Sequence, residues 1–329
     1  MTTELRRDLF RLGAVQGLDA PQARRLHALA GLDAEPAELG PLLARGVRVL
    51  AAALLGLGLV MWVAANWDDF GRAGRFALLQ AWVVMSIAGA VWRPAWRAPL
   101  ALAAFIGIGA LFAYFGQTYQ TGADAWQLFA LWAALGVPLA LGARSDVVWA
   151  PWALVAAVAV SLWVQTHTGH RWRVEAGDLP LHSVGFALLL GLSGLLAAPL
   201  ARWTGAGLWA LRTAALLAAL AATSLALQGL FDHERVAPQY ALGVAVLTLA
   251  AAGMALTRRG FDLFALSAVA LALDVLLVAG LTRLLFWHRT SRGDPIGEML
   301  LLGVVAAGLL ALSVHVVMRL NRRAEGGGS

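Results

Sequence analysis

The spacing of apolar residues changes near position 45. Before it they recur in a charged context, with Leu5, Leu9 and Leu12 at i, i+4 and i+7, one face of a helix. Gly17 ends that helix, and Asp19 is a suitable N-cap for a second one. Pro21 falls in its first turn, and Leu26 and Leu29 form its apolar face. Pro36 and Pro41 then interrupt the chain. Residues 1–44 therefore read as a short cytosolic helical segment. It either packs on the remainder of the chain or docks a protein partner.

Beyond this point the apolar runs are long. A helix needs about 20 predominantly apolar residues to cross the hydrocarbon core of a bilayer. Ten runs approach that length: 46–65, 74–92, 99–115, 126–141, 147–164, 181–200, 208–230, 239–257, 261–287 and 296–318. The expected fold is all-α, a polytopic transmembrane helix bundle of about ten spans over 45–321. A re-entrant fourth run would invert the topology after it. Ala103, Gly107, Gly109 and Ala113 make the third run narrow enough for close helix contact. Two five-span halves are possible, yet no residue-level similarity joins them. Residues 326–329 read as an appended Gly-Ser linker.

Composition sharpens the class. The chain is 60% hydrophobic and 13% charged, against about 45–50% and about 25% in soluble domains, which excludes a soluble protein. Cysteine is absent, so disulfides, thiolate metal sites and a cysteine nucleophile are excluded. All 25 basic residues are arginine and the net charge is +6. Heavy use of Ala, Gly, Leu and Arg suits a GC-rich bacterial genome. The first apolar run comes too late for a cleavable leader.

The arginines sit between apolar runs, which speaks for orientation in a membrane and against nucleic acid as a partner. With the N-terminus inside, 16 arginines fall in cytoplasmic segments and 7 in outer loops. Both termini are thus expected in the cytoplasm, as an even number of spans requires. Trp126, Trp149, Trp163, Trp203, Trp209 and Trp287 lie near predicted span ends, where amphipathic rings favour the headgroup level.

Candidate chemistry is sparse. Asn66, Trp67, Asp68 and Asp69 close the first run, before Arg72 and Arg75. Adjacent carboxylates at a membrane surface can bind a cation or work as acid and base. Asp68 or Asp69 can equally cap the second helix. A second polar cluster, Gln117, Tyr119, Gln120, Thr121, Asp124 and Gln127, follows the third run without an arginine. On the expected topology the two clusters share an outward-facing mouth, where Asn66, Trp67, Asp68, Asp69, Gln117, Tyr119, Gln120 and Asp124 would bind substrate. An ordinary solvated loop is the alternative.

Val63-Ala64-Ala65-Asn66-Trp67-Asp68 with Arg75 leading the next run resembles a bacterial predicted-membrane-protein family, domain of unknown function 2157. Gly116-Gln117-Thr118-Tyr119-Gln120, followed by Trp126 and Trp132, is similar to that family's second recognisable stretch. The helical prefix is similar too. The resemblance covers about 1–142 and fades beyond. It implies a bacterial inner-membrane protein with Asn66, Trp67, Gln117 and Tyr119 as characteristic positions, and it brings no catalytic role.

Asp274, Arg283 and Arg212 lie well inside runs rather than at their edges. An intramembrane carboxyl costs at least ~2.5–3.5 kcal/mol on insertion scales and is a functional candidate by default. Arg283 lies nine residues after Asp274, about 13 Å along one helix, so Asp274 needs a partner from another span or a proton. Arg212, near a cytoplasmic end, is expected to snorkel. His167, His170 and His182 with Asp178 occupy the longest outer loop, but their spacing is not diagnostic of a metal. No phosphate-binding glycine loop, Gly-x-Ser-x-Gly elbow or His-Glu-x-x-His is present. No cofactor or metal is expected, and membrane lipids are the expected surroundings.

Three functions fit these observations. One is a transporter or flippase for a small or lipid-like substrate, suggested by ten spans, Asp274 and a polar mouth. The second is a non-catalytic membrane subunit or sensor that docks a partner through residues 1–44. The third is a membrane enzyme on lipid-linked substrates with Asp68 or Asp69 as base, but its first outer loop is short for an acceptor site.

Overall fold

The computed structural model describes residues 8–9, 11–12, 15–30, 39–66, 71–119, 122, 124–169, 174–231, 235–256, 262–287 and 296–326. Two compact units, Met1–Ala51 and Ala52–Ser329, divide the chain. In the first, helix α1 (Ala20–Leu29) begins as its sequence dictates. The Asp19 carboxylate accepts the Gln22 backbone N–H at 2.8 Å, and the Gln22 side chain accepts the Asp19 N–H at 3.1 Å. This reciprocal pair satisfies two of the donors that every helix start leaves open.

Helix α2 (Leu39–Ala65) runs continuously through position 45, and the division between units falls within it. The following helices are α3 (Arg72–Trp92), α4 (Arg97–Tyr119), α5 (Ala125–Ala143), α6 (Asp146–Thr168), α7 (Leu179–Leu195), α8 (Ala198–Thr204), α9 (Leu208–Phe231), α10 (Pro238–Leu256), α11 (Leu263–Phe286) and α12 (Ile296–Gly326). Ten helices are long and apolar enough to cross a membrane, and no strand occurs among the described residues. The fold is an all-α polytopic bundle, and the fourth run forms an uninterrupted 19-residue helix, α5.

Of the boundaries that differ from the sequence expectation, two bear on the candidate sites. The sixth run was expected to reach 200, but α7 stops at Leu195 and the short α8 starts at Ala198. Pro199 explains the break, because it has no N–H for the Leu195 carbonyl four residues back and its ring clashes with that carbonyl, yet it is tolerated in the first turn of a new helix. The third run was expected to end at 115, but α4 continues to Tyr119. Gln117 and Tyr119 are therefore helical residues rather than loop residues.

Glycines and ring donors knit the bundle together. A helix carbonyl points at the N–H four residues on, so the side chain at i+4 flanks it. With glycine there, the carbonyl is open to a donor from another helix. Trp82 Nε1 donates to Ala103 O at 3.1 Å across Gly107, and Trp132 Nε1 to Phe105 O at 2.8 Å across Gly109. Tyr240 Oη donates to Leu276 O at 2.9 Å across Gly280. A Cβ on Gly107 would stand 2.8 Å from the Trp82 ring. Apolar attraction between helices is weak in lipid, so close packing and such bonds carry the association.

Helix α9 is the hub, packed against α6, α7, α10 and α11. Its alanines at 210, 214, 218, 222 and 226 recur every four residues and are all buried. This narrow stripe lets α10 approach until Gly243 faces Ala226 and the Ala222 carbonyl.

A set of polar contacts anchors the start of α9. Asp146 accepts the backbone N–H groups of Gly207 at 2.6 Å and Trp209 at 3.0 Å, satisfying donors at the helix start. Arg144, in the left-handed region at φ 46°, donates to the carbonyls of Arg202 (2.8 Å) and Trp203 (3.2 Å). Trp149 Nε1 donates to Thr204 O at 2.9 Å, and its ring is 2% exposed. Trp149 is thus a core residue that caps α8, not the interfacial anchor its place in the sequence suggested.

Candidate functional site

Of the residues expected at a shared mouth, Trp67, Asp68, Asp69 and Gln120 lie outside the described residues. Asn66 ends α2 and its side-chain amide donates to Trp62 O at 2.8 Å. Tyr119 packs elsewhere: its ring lies 6.0 Å from Phe76 and 4.9 Å from Phe115, with the Arg72 guanidinium 5.9 Å from its centroid. Tyr114 Oη, one turn back, donates to Arg72 O at 3.2 Å. These contacts tie the end of α4 to the start of α3. Gln117 is exposed, and Asp124 is the residue before α5 with no side-chain cap bond. No described hydrogen bond or ring contact joins Asn66 to Gln117, Tyr119 or Asp124.

The intramembrane charges have distinct environments. Arg212 does not snorkel alone. Its guanidinium pairs with Asp262, with Nη2–Oδ2 at 2.9 Å and Nε at 3.1–3.2 Å from both oxygens. It also lies 5.1 Å over Trp209 and 5.6 Å over Phe264. Asp262 meanwhile caps α11 by accepting the Ala265 N–H at 2.9 Å. The pair joins residues 50 apart in sequence and ties α9 to the start of α11. Asp274 is 8% exposed, and Ser313 of α12 donates to its Oδ1 at 2.7 Å, while Oδ2 is buried without a partner. Arg283 is 7% exposed, with its guanidinium 4.0 Å from the Trp287 centroid.

Burial of Asp262 opposes its charge, yet the Arg212 guanidinium and the Ala265 N–H outweigh it and hold its pKa below the ordinary carboxylate value. A depressed folded-state pKa stabilises above the unfolded value, near 4, and that stabilisation fades as pH falls through the folded value. Asp262→Asn retains a capping oxygen but loses the charge pair. We expect its unfolding midpoint below wild type at pH 7, with the gap closing below about pH 4. A pH-independent gap in detergent-solubilised protein would refute this.

The larger feature is a crevice along α7 and α9. One cavity, about 230 Å³, lies between α6, α7 and α9. Its polar lining is Ser161, Gln165, Thr168, His182, Ser224 and Gln228. A second cavity, about 270 Å³, lies between α7, α9, α10 and α11, with apolar walls such as Ala215, Ala218, Val246 and Ala250. Phe186 and Leu189 line both and stand, buried, between the two cavities. Asp262 lines the far end of the second cavity, where its pairing with Arg212 neutralises it.

Helical periodicity builds the polar half. Ser161, Gln165 and Thr168 stand at i, i+4 and i+7 on α6, and Ser224 and Gln228 at i and i+4 on α9. The serines turn their hydroxyls to their own helices, at Ala157 O and Leu220 O. His182 is 8% exposed and its Nδ1 has no partner. Beside this half, Gln239 is fully buried, with its amide on Glu175 O and its Oε1 unpaired, and one oxygen of Asp178 is likewise buried and unpaired.

The sequence reading placed His182 and Asp178 in a loop with His167 and His170. His182 instead lies in the first turn of α7 and His167 in the last of α6, against Trp126 and Trp163, while His170 is outside the described residues. Among the described residues no group of three His, Cys, Asp or Glu side chains could hold a metal ion. Of the missed residues, Gln165 and Gln228 carried one signal, a helical spacing of four from Ser161 and Ser224, and Gln239 carried none.

Residues 11–149 match a family model described as predicted membrane protein (DUF2157). The stretch contains α1 to α5 and the start of α6, and the crevice lies outside it. No curated protein matches the chain, and no solved structure does.

Proposed function

We propose that this multi-pass membrane protein moves a small, lipid-like substrate across a bacterial inner membrane, as a transporter or flippase without an ATP-driven motor of its own. The crevice supports this reading above all. Its two cavities follow α7 and α9, polar at the His182 end and apolar toward Asp262, with Phe186 and Leu189 between them. A lipid must move its head and tail past such surfaces, and polar side chains between helices lower the cost of dehydrating the head.

Purified protein in vesicles containing either a fluorescent single-chain glycolipid or a fluorescent phospholipid tests the reading. Transbilayer movement of at least one of them, followed by quenching of outer-leaflet dye, should exceed that of protein-free vesicles at least tenfold. Ala215→Trp, which fills the apolar half, should return it to background. Equal rates with and without protein, or an unaffected Ala215→Trp variant, would overturn the reading.

The arginine distribution supports two cytoplasmic termini. The chain has no cysteine, so His170→Cys and Ser329→Cys each supply a single reactive thiol. In intact cells an impermeant maleimide should label the first, and the second only after permeabilisation. Labelling of both from one side would reject this topology.

A further inference from the structure

We infer that the crevice takes a single-chain amphiphile with an uncharged, hydrogen-bonding head group, such as a glycosylated or polyhydroxylated alkyl chain, with the head at His182. The inference rests on the transport reading above and narrows its substrate class.

Three observations carry it. The first is polarity along the crevice. Polar side chains gather in one cavity and apolar ones in the next, which matches a molecule with one wet end and one dry end. The second is the head site itself. His182 is more than nine-tenths buried and lines the cavity with an unpartnered Nδ1. A buried polar atom without a partner costs about 1–3 kcal/mol, and a hydroxyl brought by a ligand would satisfy it. Gln165 and Gln228 add amide donors and acceptors. Among the described residues no arginine or carboxylate lines this half, whereas a phosphate head would call for a guanidinium fork or ammonium.

The third is length and width. The two cavities follow α7 from His182 to Gly194, about 18 Å at 1.5 Å per residue. One leaflet of the hydrocarbon core is about 15 Å, half of about 30 Å. A chain lying in the crevice would therefore pass the bilayer midplane, as a molecule in transit must. Both cavities are of modest volume, and the buried Phe186 and Leu189 side chains between them would have to turn aside for a tail, which suits one alkyl chain rather than two.

Two probes decide the matter: octadecyl glucoside and octadecyl lysophosphatidylglycerol, each carrying a diazirine in the tail. Each is photolysed with the full-length protein in nanodiscs. The glucoside probe should label α7 and α9 peptides at least tenfold more than the phosphate probe, and unlabelled octadecyl glucoside should compete. Ala215→Trp should remove tail labelling, and His182→Leu with Gln228→Leu should lower glucoside occupancy about tenfold with an unchanged unfolding midpoint.

Equal labelling by both probes would overturn the uncharged head group. Labelling indifferent to Ala215→Trp would overturn the site. Glucoside labelling without transbilayer movement in vesicles would instead sink transport and leave binding intact. Movement of the phospholipid dye with no glucoside labelling would sink this inference and leave transport intact.

Discussion

Gly243→Leu should unfold the α9–α10 contact and lower stability by about 3 kcal/mol or more, beyond the ~1–3 kcal/mol of ordinary overpacking. A Cβ at this position would stand 2.7 Å from Ala226 Cβ and 3.0 Å from the Ala222 carbonyl oxygen. Neither is the far end of a flexible side chain. The carbonyl belongs to the α9 backbone, so relief requires the helices to part. Gly243→Ala should already be measurably destabilised, and Ala226→Gly should restore part of the loss, because only one of the two collisions is with a methyl group. Gly253, on the same helix, faces open space. Gly253→Ala should be neutral or slightly stabilising, since alanine is the better helix former. Thermal unfolding in one detergent reads all four variants. A Gly243→Leu midpoint equal to wild type would show that α10 does not pack on the alanine stripe.

Asp274 should divide its functions between two substitutions. Asp274→Leu leaves the Ser313 hydroxyl without its 2.7 Å acceptor, which costs about 1–3 kcal/mol. The loss should lie at the lower end, because a helical serine can turn to the carbonyl four residues back. Asp274→Asn keeps an acceptor of the same shape and should leave stability close to wild type. It removes a titratable group from the α11–α12 interface, however. If that carboxyl carries a proton during transport, the asparagine variant should lose any dependence of lipid movement on a pH gradient while the fold stays intact. Unchanged gradient dependence would confine Asp274 to packing. Equal stability of the leucine variant and wild type would deny it even that.

The two predictions rest on different kinds of legibility. Asp274 stood out because a carboxyl within an apolar run is costly wherever the helix packs. Its partner did not, since Ser313 lies 39 residues on and a serine in an apolar helix is unremarkable. Arg212 shows the same limit more sharply. Near the end of a run it read as a snorkelling cation, and only the approach of α9 to α11 gave it Asp262. The aromatic cluster of Phe76, Tyr114 and Tyr119 likewise depended on α4 continuing four residues past its expected end.

By itself the sequence determined the ten apolar helices, the all-α class and the membrane as solvent, because unsatisfied backbone in hydrocarbon is so costly that a long apolar run has one choice, the helix. It ran the sixth span straight through Pro199, and it marked His182 and Asp178 without their setting. Tertiary structure alone decided which faces meet. In lipid nothing sorts apolar faces into inside and outside as water does, so periodicity carries little information about packing. The crevice along α7 and α9, the pairing of Arg212 with Asp262, and the ring donors seated over Gly107, Gly109 and Gly280 all arise from close approach between helices distant in the chain, fixed by where small residues let backbones touch.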